Sequence, residues 1–165
     1  MSPAIHFPIT IYYDASCPLC ANEMHTLKAT DVDNKMLLVD CSAPNFDGRP
    51  FAKDGITVAS MLGVIHARDA SGHWFKGVDV FEIAYDAAGL SALAALWRHS
   101  KLRPLWNRAY PWVARNRHAL SRFGIPRLVA GALRLLARGV KRSAAKAAVA
   151  ATQGCNAEVC TRDQR

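Results

Sequence analysis

Along the first ninety residues the apolar positions switch repeatedly between a period near two and a period near 3.6. Ile9-Thr10-Ile11-Tyr12-Tyr13 is a β-branched and aromatic run closed by Asp14, which predicts a buried first strand. The segment Cys17-Pro18-Leu19-Cys20 through Lys28 has no glycine and places Pro18 where a first helical turn tolerates it. Met36 to Asp40 reads as a second short strand, and the Pro/Gly/Asp-rich stretch from Cys41 to Gly55 as loop. Thr57 to Leu62 reads as a short helix capped by Thr57. Val64 to Arg68, the turn Asp69-Ala70-Ser71-Gly72 and His73 to Lys76 form a hairpin signal. Apolar residues at Val80, Phe81, Ile83, Ala84 and Ala87 line one face of a helix over Val78 to Ala88. The predicted order is βαβαββα, an α/β unit.

From Leu90 onward the pattern is helical, with breaks expected at Arg103-Pro104, Tyr110-Pro111 and Gly124-Ile125-Pro126, which predicts three or four helices. Arg127 to Thr152 reads as a basic amphipathic helix fading into an Ala-rich end, suited to packing on the core or to touching a membrane surface. The expected organisation is a core over 1–90, a basic helical extension over 91–152 and a flexible tail over 153–165.

At 165 residues and 51% apolar, the chain is large enough to bury one core. Its first residues carry no basic segment leading into a long apolar stretch, and no run approaches the roughly 18 apolar residues of a membrane span, so a cytoplasmic location is expected. The formal charge of +8 divides unevenly. Residues 1–90 hold 6 Lys and Arg against 11 Asp and Glu, a net of −5, whereas residues 91–165 hold 15 against 2, a net of +13. Either the basic half meets an anionic membrane or acidic partner, or it docks in part on the acidic half.

The five cysteines, Cys17, Cys20, Cys41, Cys155 and Cys160, are too few and too unevenly spaced for a disulfide-stapled secreted domain. The close pair Cys17-Pro18-Leu19-Cys20 carries the chemistry. A thiol is a nucleophile only as thiolate, and a helix N-terminus lowers its pKa through unpaired N–H groups and the helix dipole. Three residues apart on the first turn, the two sulfurs face each other closely enough to form a disulfide. This geometry predicts an exposed, attacking Cys17 and a resolving Cys20, a thiol–disulfide oxidoreductase acting on disulfide or dithiol partners without a cofactor. Pro18 costs no hydrogen bond there. Asp14, three residues before Cys17, either takes a proton from Cys20 or caps the loop amides, and the capping role is preferred.

The run Tyr12-Tyr13-Asp14-x-x-Cys17-Pro18-x-Cys20 resembles the signature of the DCC family of thiol-disulfide oxidoreductases. Similarity continues through Ile65-His66-Ala67-Arg68-Asp69-x-x-Gly72, Trp74 to Phe81, and Ala114-Arg115-Asn116-Arg117, spanning residues 9–122. The resemblance implies a thioredoxin-like core followed by helices, with Cys17 and Cys20 as the redox pair. Two departures stand out: Ala15 follows Asp14 where the family usually has glycine, and residues 51–66 lack the proline that thioredoxin-like enzymes place before the third strand.

Other residues have plainer readings. His66 is expected to be a satisfied core or edge histidine, and Asp79 to cap the helix that follows it. Trp97, Trp106, Trp112 and Tyr110, interleaved with Arg98, Arg103, Arg108, Arg115 and Arg117, invite a nucleic-acid reading. No nucleic-acid motif accompanies them, and buried aromatics with solvated arginines fit the same spacing. Cys155 and Cys160 are either two plain thiols or a second dithiol that serves the first. The alternative function is a zinc-binding structural or interaction module, in which Cys17 and Cys20 join two of Cys41, Cys155 and Cys160.

Overall fold

The computed structural model describes residues 4–122, together with positions 131 and 135. The basic segment 127–152, apart from those two positions, and the tail with Cys155 and Cys160 lie outside the described residues.

A four-stranded mixed sheet, β1 (Ile9–Tyr13), β2 (Met36–Asp40), β3 (His66–Arg68) and β4 (Trp74–Lys76), runs in the order β2-β1-β3-β4. β1 pairs parallel with β2, Ile9 opposite Met36, and antiparallel with β3, Ile11 opposite Ala67. β4 closes the antiparallel edge. The near-continuous apolar run of β1 follows from its central place, since Ile9, Ile11, Tyr12 and Tyr13 are all buried on one face or the other.

Helix α1 (Pro18–Lys28) crosses from β1 to β2 and buries Met24 and Leu27. Helix α2 (Val58–Gly63) starts on a reciprocal capping box between Thr57 and Ser60, as the threonine signal predicts. The loop expected over Cys41 to Gly55 instead contains a 3-10 helix at Arg49–Asp54, started by Pro50 in its first turn and stopped by Gly55 at φ +72°. The β3–β4 turn is held by Asp69, whose Oδ1 accepts from the Ser71 and His73 amides and the Ser71 hydroxyl. Burial pushes that carboxyl up, but these bonds outweigh it and hold its pKa down to about 2.

Helix α3 (Val78–Ala87) begins at Gly77, whose φ of +61° turns the chain straight out of β4. Asp79 is therefore not the cap expected of it: it lies in the first turn, favourable to the helix dipole, and its carboxylate pairs with Arg103. Helices α4 (Ser91–Arg98) and α5 (Arg103–Arg122) follow. The break expected at Tyr110-Pro111 does not occur, and α5 runs through Pro111. Its contacts with α1, α3 and α4 compensate for the backbone hydrogen bond that proline cannot donate.

One apolar cluster runs from Ile9 and Ile11 through Met24, Ile83 and Leu90 to Ala94, so α4 shares the core of the sheet. Trp97 lies against Phe81 and Trp106 at ring-centroid separations of 5.3 and 5.0 Å, which accounts for most of the aromatics as packing; Trp112 is exposed. The arginines are not all solvated: Arg98 and Arg103 pair with Glu82, docking the basic half on the acidic one. None of the described helices is long and apolar enough to cross a membrane.

Candidate active site

Strand β1 delivers the chain to Asp14, and the next two residues turn it into α1. Cys17 is the N-cap residue of that helix, in extended conformation, with Pro18 as its first helical residue and Cys20 one turn on. The first turn carries no acidic side chain that would oppose an anion at the cap. The Cys17 thiol is held down to about 5 by a hydrogen bond from the Cys20 thiol. The amides of Cys20 and Leu19 and the Ser121 hydroxyl add to this, against the opposing effect of burial. The same contact with Cys17, together with burial, drives the Cys20 thiol strongly upward. The contact thus acts in opposite directions on the two groups, favouring the anion at Cys17 and the proton at Cys20.

Exposure departs from expectation. Cys17 is fully buried, while Cys20 is half-buried. Among its neighbours is the end of α5, 104 positions downstream, where Ser121 lies next to the Cys17 sulfur while its hydroxyl donates to the Arg117 carbonyl at 2.7 Å.

Asp14 is buried and performs both a local and a distant task. Its Oδ1 accepts from the Ser16 amide and hydroxyl at 3.0 and 2.5 Å, which is the loop-capping role preferred from sequence. Its Oδ2 accepts from Arg117 at 2.7 Å, with His118 Nε2 at 3.8 Å. Asp40 at the end of β2 braces the same loop, accepting from the Ala15 amide at 3.1 Å and from the Ser42 amide and hydroxyl. Among the described residues Asn34 is the one non-glycine residue with positive φ, so Ala15 replaces the family's glycine without backbone strain.

The position before β3, where the thioredoxin-like resemblance leads one to expect proline, is Ile65. Its amide donates to the Tyr110 hydroxyl at 3.0 Å and its carbonyl accepts from the Gly77 amide at 2.9 Å. Helix α5 therefore occupies the backbone donor beside the dithiol. Behind Cys20 lies a cavity of about 190 Å³, walled by Ile65, Phe81, Trp97, Trp106 and Tyr110 and reached by Asp14, Glu23 and Arg117. Glu23 accepts from the Tyr85 hydroxyl at 2.8 Å; burial raises its pKa to about 7, against the lowering effect of that bond.

Cys41 does not join the pair. It packs with Tyr12 and Met61 in a second apolar cluster, and burial pushes its thiol up to about 12. No group of three His, Cys, Asp or Glu side chains among the described residues is placed to hold a metal ion. His66 is a buried core histidine, its Nδ1 2.7 Å from the Val64 carbonyl.

Sequence reasoning missed Glu23, Asp40, Tyr110 and Ser121. The spacing of Glu23, three residues after Cys20 and so on the same helical face, was a usable signal. Arg117 had a weaker one, since it falls within a segment of family resemblance. The others are brought in by elements remote in sequence.

No solved structure matches the chain. An uncharacterized chloroplastic protein of Arabidopsis thaliana is 30% identical over 86 residues, which is 52% of this chain and 39% of that protein. The chain thus spans well under half the length of that relative. The model of the DCC1-like thiol-disulfide oxidoreductase family matches residues 11–123, a segment that holds the dithiol, Asp14, Tyr110, Arg117 and Ser121, and the chain belongs to that family.

Proposed function

We propose that the protein cycles between a Cys17/Cys20 dithiol and a Cys17–Cys20 disulfide, exchanging two electrons with a disulfide or dithiol partner. The observation that carries this reading is the placement of Cys17 as the N-cap of α1 with Cys20 one turn on; the contact between the two thiols, which lowers the pKa of Cys17 and raises that of Cys20, supports it. In the reducing direction the Cys17 thiolate attacks one sulfur of the partner disulfide and releases the first partner thiolate. Cys20 then attacks Cys17, closes the internal disulfide and releases the second. Asp14 and Asp40 hold the loop, and Pro18 fixes the first turn without wasting a donor.

Because Cys17 is fully buried with Ser121 of α5 beside it, a partner reaches it only after the surrounding structure, α5 included, shifts. This favours partners that engage α5, protein or small thiol, over indiscriminate exchange. A reducing, cytoplasmic setting is part of the same proposal, as is a basic C-terminal segment that meets an anionic surface.

The test is a titration in glutathione redox buffers, with thiols trapped by alkylation and assigned by peptide mass. A reversible two-electron transition confined to Cys17 and Cys20, abolished in Cys17→Ser, is the expected result. A pair that stays unreactive until metal is chelated would replace this reading with the zinc-binding one.

A further inference from the structure

We propose that Glu23 is the acid–base residue of the dithiol, taking the proton of the Cys20 thiol as Cys20 attacks the mixed disulfide and returning it in the reverse step. This rests on the redox reading above and assigns a residue that reading leaves unused.

The need for such a group follows from the state of the site at that step. In the resting dithiol, Cys20 shares its proton with the Cys17 thiolate. Once Cys17 is bonded to a partner sulfur, that anion is gone, and Cys20 must ionise where burial opposes it. A nearby base gives the proton a destination, and a carboxylate that accepts it loses the negative charge that would otherwise oppose the Cys20 anion.

Glu23 follows Cys20 by one turn of α1, and both side chains reach the same cavity. The cavity's volume of about 190 Å³ leaves room for a water to relay the proton between them. The other titratable groups facing Glu23 are engaged or unsuited, beginning with Tyr13, whose hydroxyl is paired with the His25 ring at 2.7 Å and whose pKa is raised by burial. Asp14 is held by Arg117 and Ser16. The Tyr110 hydroxyl bonds the Ile65 amide and is pushed up to about 12 by burial. Tyr85 is also driven upward, and it donates to Glu23 itself. Arg117 contributes a positive charge that favours ionised Cys20 without accepting a proton.

The step balances as follows. A Cys20–Cys17 sulfur–sulfur bond forms and the Cys17–partner bond breaks. The partner leaves as thiolate, carrying the electron pair of that bond, and takes a proton from solvent. The Cys20 proton passes to Glu23 and then to solvent. The partner disulfide is reduced by two electrons, and the dithiol is oxidised by two.

The experiment is rapid mixing of the reduced full chain with oxidised glutathione, acid quenching, and separate counting of the Cys17 mixed disulfide and the internal disulfide between pH 5 and 9. The expected result for the native chain is a resolving rate that rises with pH through about 7, where Glu23 ionises. Glu23→Gln should lose that inflection and resolve on the order of a hundredfold more slowly at pH 8. The rate of Cys17 attack should stay within about twofold, and Glu23→Asp should regain the inflection. Glu23→Gln resolving at the native rate with the native pH profile overturns the proposal. If Glu23→Gln proves misfolded, as an altered Cys17 attack rate would reveal, a Glu23→Asp variant lacking the inflection overturns it equally. Failure of the native chain to form any mixed disulfide at Cys17 strikes the redox reading itself, and so is distinct from both.

Discussion

The guanidinium of Arg117 lies 2.7 Å from the carboxylate of Asp14, a residue 103 positions earlier and three before the candidate nucleophile. Their side chains are 13% and 4% exposed, so the pair is shielded from solvent, and it fastens α5 to the loop that presents the dithiol. Breaking such a pair leaves one charge buried without its partner, which costs far more than the intact pair contributes. Arg117→Met is therefore expected to lower unfolding free energy by about 3 kcal/mol in urea titrations. It should also raise the rate at which Cys17 is alkylated by iodoacetamide, because α5 loses a tether.

The thiolate of Cys17 is measurable directly by ultraviolet absorbance near 240 nm, which needs no reagent to enter the site. Its titration should be centred at about 5 in the native chain. Cys20→Ala removes the strongest stabilising contact and should move the midpoint upward by a unit or more, whereas Ser121→Ala should move it less. A midpoint unchanged in Cys20→Ala would show that the amides and Ser121 hold the anion without the Cys20 thiol.

The same shift has a stability consequence with a definite sign. Cys17 titrates near 5 when folded and near its ordinary thiol value when unfolded, so the unfolded chain binds more protons between the two. The reduced protein should gain stability from this group as pH rises from about 5 toward 9, and lose it as pH falls back through 5. Glu23 works in the opposite sense. Its folded pKa, raised to about 7, makes the folded chain bind the extra proton, so its contribution declines as pH rises from about 4.5 to 7. Denaturant midpoints of the native chain, Cys17→Ser and Glu23→Gln across this range separate the two effects.

Tyr110→Phe keeps the ring against Phe81 but leaves the Ile65 amide without its acceptor. An unpaired, partly buried donor costs about 1–3 kcal/mol, and a loss in that range is expected in calorimetry. The freed amide should also exchange its hydrogen faster than its neighbours in β3.

Gly77 combines a φ of +61° with a Cβ position 3.4 Å from the Tyr110 ring. Gly77→Ala places a side chain in a backbone region reserved for glycine, at an expected cost of about 1–3 kcal/mol in urea unfolding. A neutral result would show that the start of α3 relaxes without disturbing Tyr110.

Much of the fold was legible in the sequence because the signals are local. A β-branched run ending at Asp14, a proline at the first helical position, a threonine cap at Thr57 and a glycine-containing turn at Gly72 each act within a few residues of themselves. Strands β1 and β2 and helix α3 lie where their patterns put them, and Cys17 sits at the start of a helix because Pro18 and the absence of glycine favour one there. The errors were of the same local kind. Pro111 reads as a break, and Asp79 as a cap, only while the packing of α5 and the turn at Gly77 are unknown.

Tertiary structure alone decided the surroundings of the dithiol. A covered Cys17, a loop locked by Arg117, an Ile65 amide capped by Tyr110 and a glutamate raised toward neutrality all depend on α5 lying across the start of α1. These contacts join residues 45 to more than 100 positions apart. Hydrophobic periodicity specifies which face of a helix is buried, but not which neighbour buries it. Desolvation and charge pairing are set by that neighbour, and they determine which sulfur is shielded and which carboxyl keeps its proton near neutral pH.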